Sequence, residues 1–140
     1  MSRCFLVLAV AAALAPAATA AGDPAASGIP VDVVGLKAGR AHGTITFYAA
    51  KDGAKALADV RQLPPNASVR ILVQAGDCRR HGASFAELPG FRADARGRVT
   101  GRTFVRFHGA KLPLRAISSE PHAVRVLAAG RAVACGEYHP

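Results

Sequence analysis

Five histidines, His42, His81, His108, His122 and His139, and three cysteines, Cys4, Cys78 and Cys135, are the side chains of this sequence best suited to hold copper or zinc. A metal site built within one segment needs ligands at close spacing, such as H-x-H or H-x-x-x-H. No two of the five histidines stand at such a spacing, and most adjoin Gly or Pro in turn-forming sequence, so they read as scattered surface residues and no metal site is expected. Nucleophilic chemistry is no better supplied. Ser84, Ser118 and Ser119 lack the G-x-S-x-G elbow that presents a serine to its base. With 9 Asp+Glu in 140 residues, no pair of carboxylates stands out for acid/base work. No catalytic residue and no cofactor is therefore expected.

Charge is the clearest positive signal, at 18 Lys+Arg against 9 Asp+Glu, a net +9. In RVTGRTFVRF, Arg98 to Phe107, apolar residues alternate with Arg98, Arg102 and Arg106, which places the three arginines on one face of a strand. At roughly 3.3 Å per residue they stand about 13 Å apart. Arg79, Arg80, Arg92, Arg96, Arg115, Arg125 and Arg131 extend the basic surface. Guanidinium grips phosphate and carboxylate groups bidentately, so Arg98, Arg102 and Arg106 are candidate polyanion-binding residues, with an acidic polymer or an acidic protein as partner. A solvated Arg-rich face is the competing reading. Nucleic acid is not the expected partner, because beyond the leader only Phe and two Tyr supply aromatic surface and no stacking motif is visible.

The start, MSRCFLVLAVAAALAPAATA, has the three-part form of a secretory signal peptide: a positive charge at Arg3, an apolar run from Cys4 to Ala15, Pro16, then small residues with cleavage expected after Ala20. The run is too short and too close to a proline to serve as a membrane span, which needs about 20 apolar residues. No later segment is long enough to cross a membrane, so a periplasmic or secreted chain is expected. Cleavage removes Arg3 and Cys4, leaving 17 basic against 9 acidic residues, a charge of +8, and the cysteines Cys78 and Cys135. In an oxidising compartment these two are expected to form one disulfide. Closing a 57-residue loop adds roughly 3 to 4 kcal/mol of stability in the chain-entropy model. A pair of thiolate metal ligands is the alternative, and it would need further ligands close by.

The remaining sequence must position these residues. With 51% of residues hydrophobic and 19% charged, the chain is too apolar to stay disordered, and its length fits one domain. Residues 21–30 read as a flexible lead-in and residues 31–140 as the domain. The strand candidates are Val31 to Leu36, Gly43 to Ala49, Ala56 to Leu63, Val69 to Ala75, Arg98 to Phe107, Leu112 to Ile117, Ala123 to Leu127 and Ala132 to Tyr138. Turns are expected at Lys51 to Gly53, Pro64 to Asn66 and Ala128 to Gly130. The Ala-rich stretch Ala54 to Val60 could pass for a helix, but Pro64 and Pro65 cut it short. Seven or eight short strands at this spacing point to an antiparallel sandwich or barrel.

Three segments carry a resemblance. VRILVQAGDC at Val69 to Cys78, VACGEY at Val133 to Tyr138 and GTITF at Gly43 to Phe47 resemble a degenerate copper/zinc superoxide dismutase-like domain, close to the small exported relatives grouped with CHRD-type domains. The resemblance implies an all-β antiparallel Greek-key β-sandwich with one intrachain disulfide. In the family pattern, a strand bearing H-x-H-x-G-x-C carries the first cysteine, a later strand ends in V-H, and an A-C-G strand carries the second. Here Gly76 matches, but the imidazole positions hold Leu72, Gln74 and, after Val126, Leu127. The position of the family's active-site arginine holds Ala132, with Arg131 one residue away on the opposite face. On this alignment the redox metal site is absent, and the expected function is an exported non-enzymatic module. The alternative is a metal-binding dismutase-like enzyme or copper-handling protein with displaced ligands, such as His81, whose loop corresponds to the family's zinc loop, joined by His108 or His122.

Overall fold

Small and β-branched residues alternate with polar ones in much of the described chain, and most such runs form strands whose apolar face turns inward. The computed structural model describes residues 28–37 and 39–140. The leader expected at residues 1–20 and the lead-in up to residue 27 lie outside the described residues. The elements are β1 (Ile29–Gly35), β2 (His42–Ala50), β3 (Gly53–Arg61), β4 (Ser68–Gly76), β5 (His81–Arg92), β6 (Val99–Phe104), β7 (Arg106–Phe107), β8 (Ala110–Lys111), the helical turn α1 (Leu114–Ser118), β9 (His122–Ala128) and β10 (Arg131–Tyr138). Among the described residues no helix is long and apolar enough to cross a membrane.

Every pairing is antiparallel, in the order β6-β3-β2-β1-β10-β9-β4-β5-β7-β8. The single ten-stranded sheet curls until β5 and β6 lie alongside each other, without a ladder between them. At that seam the ring of Phe91 on β5 rests against Gly101 of β6, where any side chain would meet it at 3.3 Å. The successive strands β4, β5 and β6 are flanked by β3 on one side and β9 on the other, and these reach their places by crossing the molecule. This is Greek-key connectivity. The expected all-β antiparallel sandwich is therefore present, with ten strands rather than seven or eight and with its two layers joined into a nearly closed barrel.

The core fills from both layers. Val31 and Val33 of β1, Ile45 and Phe47 of β2, Ala54, Ala56, Ala58 and Val60 of β3, Ile71 and Val73 of β4, and Val124 and Val126 of β9 are buried. β3 is the Ala-rich stretch that could pass for a helix. It is a strand because it pairs along its length with β2 and is covered on its other edge by β6. The Cys78–Cys135 disulfide is formed, with the two Cα atoms 6.0 Å apart. Its contribution of roughly 3 to 4 kcal/mol matches one or two fully buried aliphatic side chains, so the cross-link supplements the core rather than replacing it.

Four expectations about elements are corrected. β1 begins at Ile29, so Ile29 and Pro30 belong to the sheet and not to the lead-in. Leu112 to Ile117 is not a strand: Pro113, with no N–H for a ladder, opens the turn α1, and Leu114 and Ile117, three residues apart, both face the core. The run Arg98 to Phe107 is not one strand. β6 ends at Phe104, and Val105 changes layers, its N–H donating to the Ala54 carbonyl at 2.9 Å and its carbonyl accepting from Leu112 at 3.0 Å. The chain then pairs with β5 as β7 and reverses to β8 through His108 and Gly109, both at positive φ. Finally, β5 was hidden because three register shifts break its alternation; Pro89 and Gly90 together oppose Arg70, a bulge rather than a strand end.

At one end of the barrel His122 is buried, 1% exposed, among the rings of Phe47, Phe85 and Tyr138, whose centroids lie 6.3, 5.9 and 4.9 Å away. The Tyr138 hydroxyl donates to the Ser118 carbonyl at 3.2 Å, holding α1 over this cluster. His122 Nδ1 faces the Glu120 carbonyl at 3.1 Å, which can only accept, so the neutral ring carries its proton on Nδ1. Nε2 then has no partner among the described residues. Burial pushes the imidazole below its usual pKa, an effect the Glu120 contact only partly offsets. Since the folded state resists protonation that the unfolded chain accepts near pH 6.5, the stability from neutral His122 is complete above that pH and lost as pH falls below it. Urea unfolding should show a constant midpoint from pH 8 to 7 and a decline from 6.5 to 5, and His122→Phe should flatten that decline; an equal decline in the variant would contradict it.

Candidate functional site

The inward residues of β4 and β9 are Val69, Ile71 and Val73 and Val124 and Val126, so strand alternation turns Arg70, Leu72, Arg125 and Leu127 outward. Arg70 pairs across the ladder with Leu127 and Leu72 with Arg125, a two-by-two checkerboard of guanidinium and isobutyl groups. The same transverse row continues from Leu72 to Glu87 on β5 and from Glu87 to Arg106 on β7. At about 4.8 Å per strand, Arg125 and Arg106 stand on the order of 14 Å apart across the sheet.

Glu87 is the carboxylate of this row, and it is taken. Its Oε1 accepts from Arg70 Nε at 2.9 Å, and this hydrogen bond and charge push the Arg70 pKa up. An exposed pair of this kind contributes about 0 to 1 kcal/mol. Arg106 Nη1 donates to the Gly109 carbonyl at 2.9 Å, which fixes its direction and leaves its other donors free. Arg70, Leu72, Glu87, Arg106, Phe107 and His108 line a cavity of about 420 Å³. Phe107 is 41% exposed there, with the His108 ring 4.1 Å from its own. The cavity thus combines cationic donors with an aromatic and aliphatic floor.

The disulfide borders this face. Cys135 lies opposite Arg125 on the neighbouring strand. The Cys78 N–H donates to Glu137 Oε1 at 2.9 Å, a second tie between the segment leaving β4 and β10. Asp77 Oδ1 accepts the N–H groups of Arg79 and Arg80 at 2.8 and 2.6 Å, and those donors, Arg80 first, hold its carboxyl below the usual range. Gly136 lets β10 approach β1, since a side chain there would clash with the Asp32 carbonyl.

The candidate polyanion residues Arg98, Arg102 and Arg106 are distributed differently from a single strand face. Arg98 precedes β6 and its guanidinium lies 3.3 Å from Asp59. Arg102 of β6, exposed, opposes Leu57 of β3, and Arg106 opposes Glu87 in the other layer. The structure therefore groups Arg106 with Arg70 and Arg125. Sequence reading alone does not single out Arg70 and leaves Arg125 within a diffuse basic surface, although the alternation in VRILVQ and VRVL sets both arginines outward. Leu72, Gln74 and Leu127, the positions aligned with imidazoles, all lie on β4 and β9, with Leu72 and Leu127 in the checkerboard and Gln74 largely buried beside it.

His42 faces the Arg40 carbonyl, His139 lies 3.3 Å from Glu137, His81 opens β5 in solvent, His108 occupies the β7–β8 turn and His122 is internal. Among the described residues no three His, Cys, Asp or Glu side chains are placed to share a metal ion. No family model matches the chain, and no curated protein matches it.

Glu87→Gln removes the one carboxylate of the row and frees Arg70. It should change unfolding stability by less than about 1 kcal/mol while raising the salt needed to elute the protein from an immobilised polyanion. Unchanged elution would show that the row does not contact the polymer.

Proposed function

We propose that this chain is an exported, non-enzymatic module on a dismutase-like scaffold that binds an acidic polymer or acidic protein through the outer face of β9, β4, β5 and β7. The observation that carries the reading is the row Arg125, Leu72, Glu87 and Arg106 with Arg70 beside it: three guanidinium groups against one carboxylate that is already paired. A cationic strip of this kind attracts anionic chains and holds them through several bidentate contacts, each weak alone.

The scaffold part of the reading is supported by the Greek-key order, by the disulfide joining the segment after β4 to the A-C-G strand β10, and by the glycine of that strand at the β1 contact. Leucine has no lone pair to offer a metal, so Leu72 and Leu127 favour the non-catalytic reading over the redox one. The leader sequence supports export, and a disulfide is at home in an oxidising compartment.

The triple variant Arg70→Glu, Arg106→Glu, Arg125→Glu should elute from an immobilised polyanion at markedly lower salt than the wild type, with a shallower dependence of affinity on salt. Arg98→Glu, which removes an arginine already paired with Asp59, should have a much smaller effect. Equal retention of wild type and triple variant would overturn the reading, as would about one tightly held copper per chain together with dismutase activity.

A further inference from the structure

A second feature of the same layer lies on the other side of β9. Lys37, Arg125 and Arg131 line a groove of about 630 Å³ whose remaining walls are Leu36, Ala132 and Val133. The groove exists because β10 bulges between Ala132 and Ala134, and the Leu36 N–H donates to the Val133 carbonyl at 3.0 Å, pinning the end of β1 against the bulge. No carboxylate is among the lining residues, and among the described residues none of the three cations forms an ion pair. Arg125 Nε is buried and has no hydrogen-bond partner among the described residues. A buried guanidinium donor left unpaired is costly, and an oxyanion is the group that satisfies it best.

We propose that this groove binds an anionic amphiphile: a phosphate or carboxylate head held by Lys37, Arg125 and Arg131, with an aliphatic portion laid on Leu36, Ala132 and Val133. Three cations at one place exceed what a neutral ligand would use, and the apolar wall exceeds what a free inorganic ion would use. The site extends the anion-binding reading and shares Arg125 with it. Arg70 and Arg106 line the separate cavity across β4, so the two sites are separable by mutation.

The test is isothermal titration of the purified full chain with dodecyl phosphate below its critical micelle concentration, with inorganic phosphate and dodecyl maltoside as comparisons. The expected result is one dodecyl phosphate per chain, bound at least tenfold more tightly than either comparison. Arg131→Gln, at an exposed position, should weaken it at least tenfold while leaving the unfolding curve unchanged, and Arg125→Gln should do the same or more. Dodecyl phosphate binding no tighter than inorganic phosphate would overturn the proposal by reducing the groove to a simple anion site. Equal binding of dodecyl maltoside, or indifference to Arg131→Gln, would overturn it as well. Retention of the wild type on a polyanion column alongside failure of dodecyl phosphate would sink this site alone. Binding of dodecyl phosphate without polyanion retention would sink the polymer reading alone.

Discussion

The covalent tie between Cys78 and Cys135 holds the segment that leaves β4 against β10, on the strand between β1 and β9. Without it, the connection from β4 to β5 would be held at this point by the contact of Cys78 N–H with Glu137 and by the irregular pairing of β5, whose ladder shifts register three times. With it, β4 is fixed at both ends between β9 and β5, and the outward direction of Arg70 and Leu72 follows from strand alternation alone. The basic face therefore follows from the strand order of the nearly closed sheet, and its arginines are displayed on paired strands rather than on loops.

Two opposite demands meet in the same strands. Inward, β4 and β9 present only Val, Ile and Ala, apart from His122 at one end, and that apolar lining joins the two layers. Outward, they present arginine and leucine in alternation, a composition that leaves aliphatic surface between cations instead of carboxylates that would neutralise them. In the proposed anion-binding role the leucines contribute beyond packing. An aliphatic floor lowers the local polarity around each guanidinium, which strengthens its attraction for an anion relative to one standing free in water. Both cavities on this layer share that construction, cations above apolar carbon.

Short apolar runs punctuated by Gly, Pro, Asn and Asp were enough to reveal the all-β class and most strand positions, and the turn-forming residues at Lys51 to Gly53 and Ala128 to Gly130 marked those turns. The disulfide was legible from the count of cysteines left after the leader. β5 was not, since the bulge at Pro89 and Gly90 looks in sequence like a break, and a bulge can be recognised only when its partner strand is known. The change of layer at Val105 was also hidden: Arg102 and Arg106 keep the spacing of one face, yet the hydrogen bonds of Val105 send them to different sheet neighbours. The grouping of Arg70, Arg125 and Arg106 joins residues from three distant segments, and only the strand order brings them together.

The claim that this outer face is where an acidic partner lies is tested most directly by two-dimensional amide NMR of the ¹⁵N-labelled protein titrated with an acidic oligosaccharide. The account predicts salt-sensitive shifts concentrated in residues 70–74, 84–87, 106–109 and 123–127, with β3 and β6 little changed. Shifts confined to β3 and β6, or none at low salt, would contradict it.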